Sequence, residues 1–299
     1  MTDINDFGQA MGEAFERNRR HWGQYRSGMK KLTKKSHYRF TGARELTGPM
    51  QLQHCMELCH LCSLTNEPFY VIEWEMERQG SKGSLVWTDR FFTVIIEGNH
   101  YVLIKDWSNS DEPALVSDKL WPGRVNSVAA EAARGVLDAV VAGGMTGVTR
   151  IWVSGFGNAA AAAVLVAAGL HRSGLPVAGV QSAGSPRVGD TDFAQWYNQS
   201  ILGPRTVRFA GETDFRTHTP ALRVGFEHVG VHIKLTATGA VHPWRLADWW
   251  ADHQEVKNQG QSNDEATNQK WTVRRYLDGM ALAFKNNFTF KVRGLVLPE

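Results

Sequence analysis

With 299 residues, 42% of them hydrophobic, 10% aromatic and 21% charged, the chain has the composition of a globular protein and the length to bury one large core or two small ones. The net charge of +3 conceals a split: nine Lys or Arg and no acid lie between Arg17 and Arg39, which leaves the remainder near −6. No apolar run approaches the roughly 20 residues of a membrane-spanning helix, and the opening MTDINDFGQAMGEAFE has neither an apolar signal core nor the acid-poor composition of a transit peptide.

In chain order, residues 1–40 read as a basic N-terminal arm, with His21, Trp22, Tyr25, Tyr38 and Phe40 interleaved among the charges. Like charges that repel and little apolar surface argue against independent folding. The aromatics argue for docking of segment 17–39 on a protein subunit or an anionic membrane surface. Nucleic acid ranks last, because no basic groove in the domain behind continues the footprint. Residues 41–299 are expected to form one domain.

Within Pro49–Asn66 the spacing of Leu52, Met56, Cys59 and Leu61 predicts an amphipathic helix. It carries all three cysteines, in His54-Cys-Met-Glu-Leu-Cys-His-Leu-Cys62. The C-x3-C-x2-C spacing matches the iron–sulfur motif of radical enzymes that use S-adenosylmethionine. On a helix, however, Cys55, Cys59 and Cys62 share one face as small buried hydrophobes, so neither metal nor cofactor is expected. Clustered thiols without a disulfide framework fit an intracellular, reducing compartment.

Next come β-type runs at Phe69–Glu75, Ser84–Thr88, Phe91–Glu97 and His100–Lys105, the last two joined by a Gly98-Asn99 hairpin signal. From residue 125 the rhythm becomes helix Val125–Val141, strand Thr149–Ser154, helix Gly157–Leu170, strand Leu175–Ser182, helix Asp190–Gln199 and strand Arg205–Phe209. Continuous apolar strands alternating with helices predict a mostly parallel sheet covered on both faces. A β segment at Phe226–Thr236 and helices at Trp244–Val256 and Glu265–Phe284 complete the chain.

Three segments stand out as chemistry-bearing. The first is Val153-Ser-Gly-Phe-Gly-Asn-Ala159, a strand-to-helix turn with small residues two before and two after Gly157. The second is Ala183-Gly-Ser-Pro-Arg-Val-Gly-Asp190 directly after a buried strand. The third is Gly211-Glu-Thr-Asp-Phe-Arg-Thr-His-Thr-Pro220, followed by Gly225-Phe-Glu-His-Val-Gly230. In this order they resemble the class 3, fungal-lipase-like branch of the α/β-hydrolases, over roughly residues 45–260. That family runs a strand into G-H-S-L-G-G-A, then G-S-P-R-V-G, then D-P-V-P-x-L-P, a short x-H-V-G and a late D-H. The G-S-P-R-V-G match is complete at Gly184–Gly189.

The resemblance implies an α/β-hydrolase fold with a central, mostly parallel sheet flanked by helices. It puts Asp214 at the acid of the triad and His253, in Trp249-Trp-Ala-Asp-His253, at the base, with His242 as the second choice. Gly157 falls at the nucleophile and Phe156 at the histidine before it. The family's R-G-T or R-G-S oxyanion segment is not intact near Ile104-Lys-Asp-Trp-Ser108. Two chemical elements are missing together, so the resemblance implies a catalytically degenerate hydrolase kept as a structural, protein-binding or lipid-binding module. The alternative is an active carboxylester hydrolase with an unrecognised nucleophile. Ser154 is expected to point into sheet packing, and Ser182 and Ser185 to be structural.

Overall fold

The computed structural model describes residues 52–66, 85–87, 90–96, 99–107, 112–142, 150–221, 224–236, 241–243 and 272–285. The basic arm, the Phe69–Glu75 run and the Trp244–Val256 segment lie outside the described residues. Helix α1 (Leu52–Ser63) continues into a 3-10 turn, and strands β1 (Leu85–Trp87), β2 (Phe91–Ile96) and β3 (Asn99–Ile104) follow. After the ribbon β4 (Leu115–Asp118) and β5 (Trp121–Asn126) come α2 (Ser127–Ala142), β6 (Arg150–Phe156), α3 (Asn158–Arg172) and β7 (Val177–Ala183). Helices α4 (Thr191–Gln199) and α5 (Leu202–Arg205) lead into β8 (Thr206–Gly211) and a 3-10 turn at Phe215–His218. Strands β9 (Val231–Leu235) and β10 (Val241–Pro243) and helix α6 (Val273–Lys285) complete the described elements.

Eight strands form one sheet in the order β1-β2-β3-β6-β7-β8-β9-β10. The run β3-β6-β7-β8-β9 is parallel, with antiparallel pairs at both edges. The expected antiparallel pair of β2 and β3 forms, with Phe91 opposite Ile104, but Asn99 already belongs to β3, opposite Ile96.

Neighbouring residues on a strand point to opposite faces, and β6 illustrates the consequence. Val153 joins the core cluster built with Ala159–Ala168 of α3, while Ser154 faces α1 and donates to Gln181 Oε1 at 2.5 Å. Every residue of α3 from Ala159 to Leu170 is buried. Five consecutive alanines remove the side-chain volume that would hold this helix away from the sheet.

On the other face, α1 buries its three cysteines as free thiols, and Cys62 Sγ donates weakly to the Ile104 carbonyl at 3.8 Å. Burial pushes the Cys62 thiol up to about 12 and raises Cys59 strongly as well. Both groups stay protonated at neutral pH. Among the described residues no group of His, Cys, Asp or Glu is arranged to hold a metal ion, and no helix is long and apolar enough to cross a membrane.

Three expectations need correction. The helix expected from Val125 begins at Ser127, because Val125 and Asn126 are drawn into β5, where Asn126 Oδ1 caps the helix by accepting from Val128 and Ala129. The ribbon β4–β5 was not foreseen; its strands are short and Trp121-Pro-Gly-Arg carries a weak alternation. The β run expected over Phe226–Thr236 narrows to Val231–Leu235, since Glu227 instead makes an isolated bridge to Gly189.

Candidate functional site

The end of β6 and the start of α3 form a sharp turn around Gly157, which has φ 64° and ψ −129°. This left-handed backbone strains a residue with a side chain and suits glycine. Two residues earlier, a β-carbon on Gly155 would stand 2.1 Å from the Ala159 carbonyl oxygen. That contact is the physical reason for a glycine there, because strand and helix meet at backbone distance. The layout expected from the sequence is present.

What surrounds Gly157 was not expected. A β-carbon at position 157 would stand 2.6 Å from both carboxylate oxygens of Asp106 and 2.7 Å from Arg216 Nη1. Asp106 lies just beyond β3, in the segment where the oxyanion loop had been sought. Its Oδ1 accepts from the backbone N–H of Asn158 at 2.9 Å, and the Asn158 side-chain amide donates to the Trp107 carbonyl at 2.9 Å. The first N–H of helix α3 thus already faces a carboxylate of the same chain. A helix N-terminus favours such an anion through its unpaired donors and its dipole.

Asp214 follows β8 and is fully buried. Its Oδ1 accepts from Arg216 Nε at 3.0 Å and from the Arg216 backbone N–H at 3.3 Å. Its Oδ2 accepts from Arg216 Nη2 at 2.9 Å and from Tyr276 Oη at 2.9 Å. An ionised carboxylate offers about four lone-pair positions, and these four contacts fill them.

Arg216 also reaches Asp106, Nη1 to Oδ2 at 3.6 Å, so one guanidinium bridges two carboxylates. It lies over the Phe156 ring, 4.5 Å from the centroid, and Phe156 meets Tyr276 edge-on at 5.8 Å. Burial and then the adjacent Asp214 charge push the Tyr276 phenol well above its ordinary range, which keeps it a donor. Its oxygen accepts in turn from the Gly211 N–H at 2.7 Å.

Arg216 thus lies beside both Gly157 and Asp214, and the cluster around them is built from Asp106, Arg216 and Tyr276, which sequence reasoning missed. Arg216 was visible two residues after Asp214, and Asp106 lay in the segment noted for lacking its motif. Tyr276 had no local signal, since α6 reaches the site only through tertiary packing. His253 lies outside the described residues, and His242 sits on β10 opposite Lys234 in register.

The Gly184–Gly189 segment serves as a clamp. Arg187 Nη1 donates to the carbonyls of His218 and of Pro220, which pins the loop after Asp214. Asp190 then caps α4 by accepting from the Phe193 N–H at 3.0 Å. Ser185 Oγ is turned to the neighbouring Pro186 carbonyl, as a structural residue would be.

Residues 99–224, less than half of the chain, match the family model for lipase (class 3). No curated protein matches the chain. Among solved structures, a lipase–propeptide complex from Rhizomucor miehei aligns at 17% identity and a TM-score of 0.53, covering 62% of this chain and 67% of that one. Lipase II from Rhizopus niveus aligns at 17% identity and a TM-score of 0.52, covering 61% and 80%. A triacylglycerol lipase whose catalytic centre is described as a serine protease triad aligns at 18% identity and 0.51, covering 60% and 78%. At these identities the likeness carries the fold, and the mixed, mostly parallel sheet with helices on both faces is an α/β-hydrolase fold.

Proposed function

We propose that this chain is a catalytically degenerate lipase-like protein, a pseudo-hydrolase retained as a structural, protein-binding or lipid-binding module. The observation that carries the reading is the Asp106–Arg216 pair beside Gly157. In a hydrolase of this layout the nucleophile projects from the turn, and the N–H after it helps hold the oxyanion. At residue 157 there is no side chain to attack, and the space a side chain needs is filled by an ion pair.

The Asn158 N–H is engaged by the Asp106 carboxylate. A tetrahedral intermediate would have to develop its negative charge against an existing one, in place of a donor whose loss alone costs on the order of 10²–10³ in rate. The filled hydrogen-bonding capacity of Asp214 points the same way. An acid that orients a histidine needs a free acceptor position for the ring N–H, and here Arg216 and Tyr276 take all of them.

The test is labelling with a fluorophosphonate together with turnover of short-chain nitrophenyl esters, for the native chain and for Gly157→Ser. The expected result is no labelling of the native chain and no useful turnover by either. Robust turnover by Gly157→Ser, abolished by His253→Ala, would overturn the reading.

The binding role is assigned to the arm. Its nine positive charges and interleaved aromatics suit a protein subunit or an anionic membrane surface. Free, buried thiols accord with a reducing, intracellular setting. Deleting residues 1–40 should abolish either co-assembly in native mass measurements or pelleting with anionic vesicles. A truncated chain that keeps every association would remove the arm from the proposal.

A further inference from the structure

Strands β8 and β9 pair in parallel with Arg208 opposite His232 and Ala210 opposite Lys234. Residues two apart on a strand share a face, so two cationic side chains and an imidazole project together over the small Ala210. Ala210 and Gly211 leave a recess of about 10 Å³ between these longer groups, and Thr217 and His218 of the 3-10 turn line its other side. That volume is close to the roughly 10–15 Å³ needed to admit a single oxygen-sized group. Among the described residues that line it, Glu212 is the one carboxylate, beside Arg208 and Lys234.

His232 is the informative member. It is 9% exposed, and neither ring nitrogen has a hydrogen-bond partner among the described residues. A buried polar ring without partners is destabilising unless something completes it. Burial first, and then the charges of Arg208, Lys234 and His218, hold this imidazole well below its usual range. The ring is therefore neutral, with one N–H to donate into a recess flanked by Arg208, Lys234 and His218.

We infer that the recess between β8 and β9 is an anion site that takes a phosphate group, with one oxygen entering the recess against His232 and the remainder meeting Arg208 and Lys234 at the mouth. Charge-assisted hydrogen bonds from guanidinium and ammonium to phosphate are among the strong ones available. An ester on an outward oxygen leaves the inner oxygens free to make these contacts, so free phosphate and the phosphomonoester headgroup of a lipid share the required chemistry. The site is separate from the Gly157 turn, and the inference does not depend on whether that turn is catalytic.

The experiment is titration of the full-length protein with inorganic phosphate by calorimetry, in parallel with sedimentation of phosphatidylcholine vesicles with and without phosphatidic acid. Three proteins are compared: native, Lys234→Gln and Glu212→Gln. Both positions are partly exposed, so neither change empties the core. Removing the ammonium should weaken phosphate binding about tenfold or more, as expected for a hydrogen bond to a charged group. Removing the carboxylate should tighten it. This opposite response separates the recess from the basic arm, which is the same in all three proteins. The same ordering confined to phosphatidic acid vesicles identifies the headgroup as the source. Equal binding by all three proteins in both arms, or no binding, overturns the inference and leaves the recess as a water site.

Discussion

Two clusters of charged side chains are built on one sheet, and they follow opposite principles. Around Gly157 two carboxylates meet one guanidinium and a phenol, and every described lone pair of Asp214 is used. Around His232, among the described residues, two cations and a second imidazole stand near a single carboxylate, and the buried His232 ring has no hydrogen-bond partner. The first cluster is closed by its own side chains, so its contribution is to hold β3, β6, β8 and α6 together. The second keeps an unsatisfied buried imidazole, that of His232. A buried charge network that satisfies itself has no place for a ligand, whereas one that does not is a candidate site.

The largest expected effect comes from breaking the closed cluster. Arg216→Met leaves Asp214 buried at 0% exposure and Asp106 beside it without their shared cation. The expected loss is about 3–5 kcal/mol of stability in denaturant unfolding, the range found when one member of a buried ion pair is removed. Adding Asp106→Asn and Asp214→Asn should recover part of it. A loss under about 1 kcal/mol would show that water, rather than Arg216, compensates these carboxylates.

Gly157→Ser should cost less, about 1–3 kcal/mol from left-handed backbone strain, with a further loss as Asp106 and Arg216 are displaced from the new β-carbon. An unchanged or raised melting temperature would contradict the geometry described for the turn.

A smaller effect should appear with pH. Burial holds His54 at about 4, against an ordinary 6.5, and burial also lowers His100, His228 and His232. As pH falls the unfolded chain takes up these protons first, so stability is complete above about 6.5 and is lost progressively towards 4. The melting temperature should fall over that interval. His232→Gln should flatten the slope, and added phosphate should lessen it if the recess is an anion site. A melting temperature constant between pH 7 and 5 would rule out these buried neutral histidines.

The smallest effect concerns the apolar side of α1, which has neither kind of charge cluster. Cys59 and Cys62 should react with a disulfide reagent only as fast as the protein opens, because burial keeps both thiols protonated. Rapid modification of the native protein would mean that α1 is not packed as described.

Much of the fold was legible in local pattern. The antiparallel pairing of β2 with β3, the apolar strands alternating with helices and the alanine run of α3 come from short-range signals, and the structure follows them to within a few residues. The turn at Gly157 was readable because close backbone approach restricts which residues can stand beside it, whereas Gly184–Gly189 was marked only by its motif and its clamping role came from the structure. The β4–β5 ribbon was not readable, since its short strands gain their place from Gly189 and Asp190 more than 60 residues away.

The site divides in the same way. Gly157 and Asp214 could be named from motif spacing, because chain order alone brings each to the end of a parallel strand. That Asp106 would turn onto the Asn158 N–H, that Arg216 would take the acceptors of Asp214, and that Tyr276 would arrive from a helix 62 positions later were decided by tertiary packing. Burial made these partners necessary: a carboxylate removed from water must find donors wherever the fold supplies them, and a linear pattern does not record which residues those are.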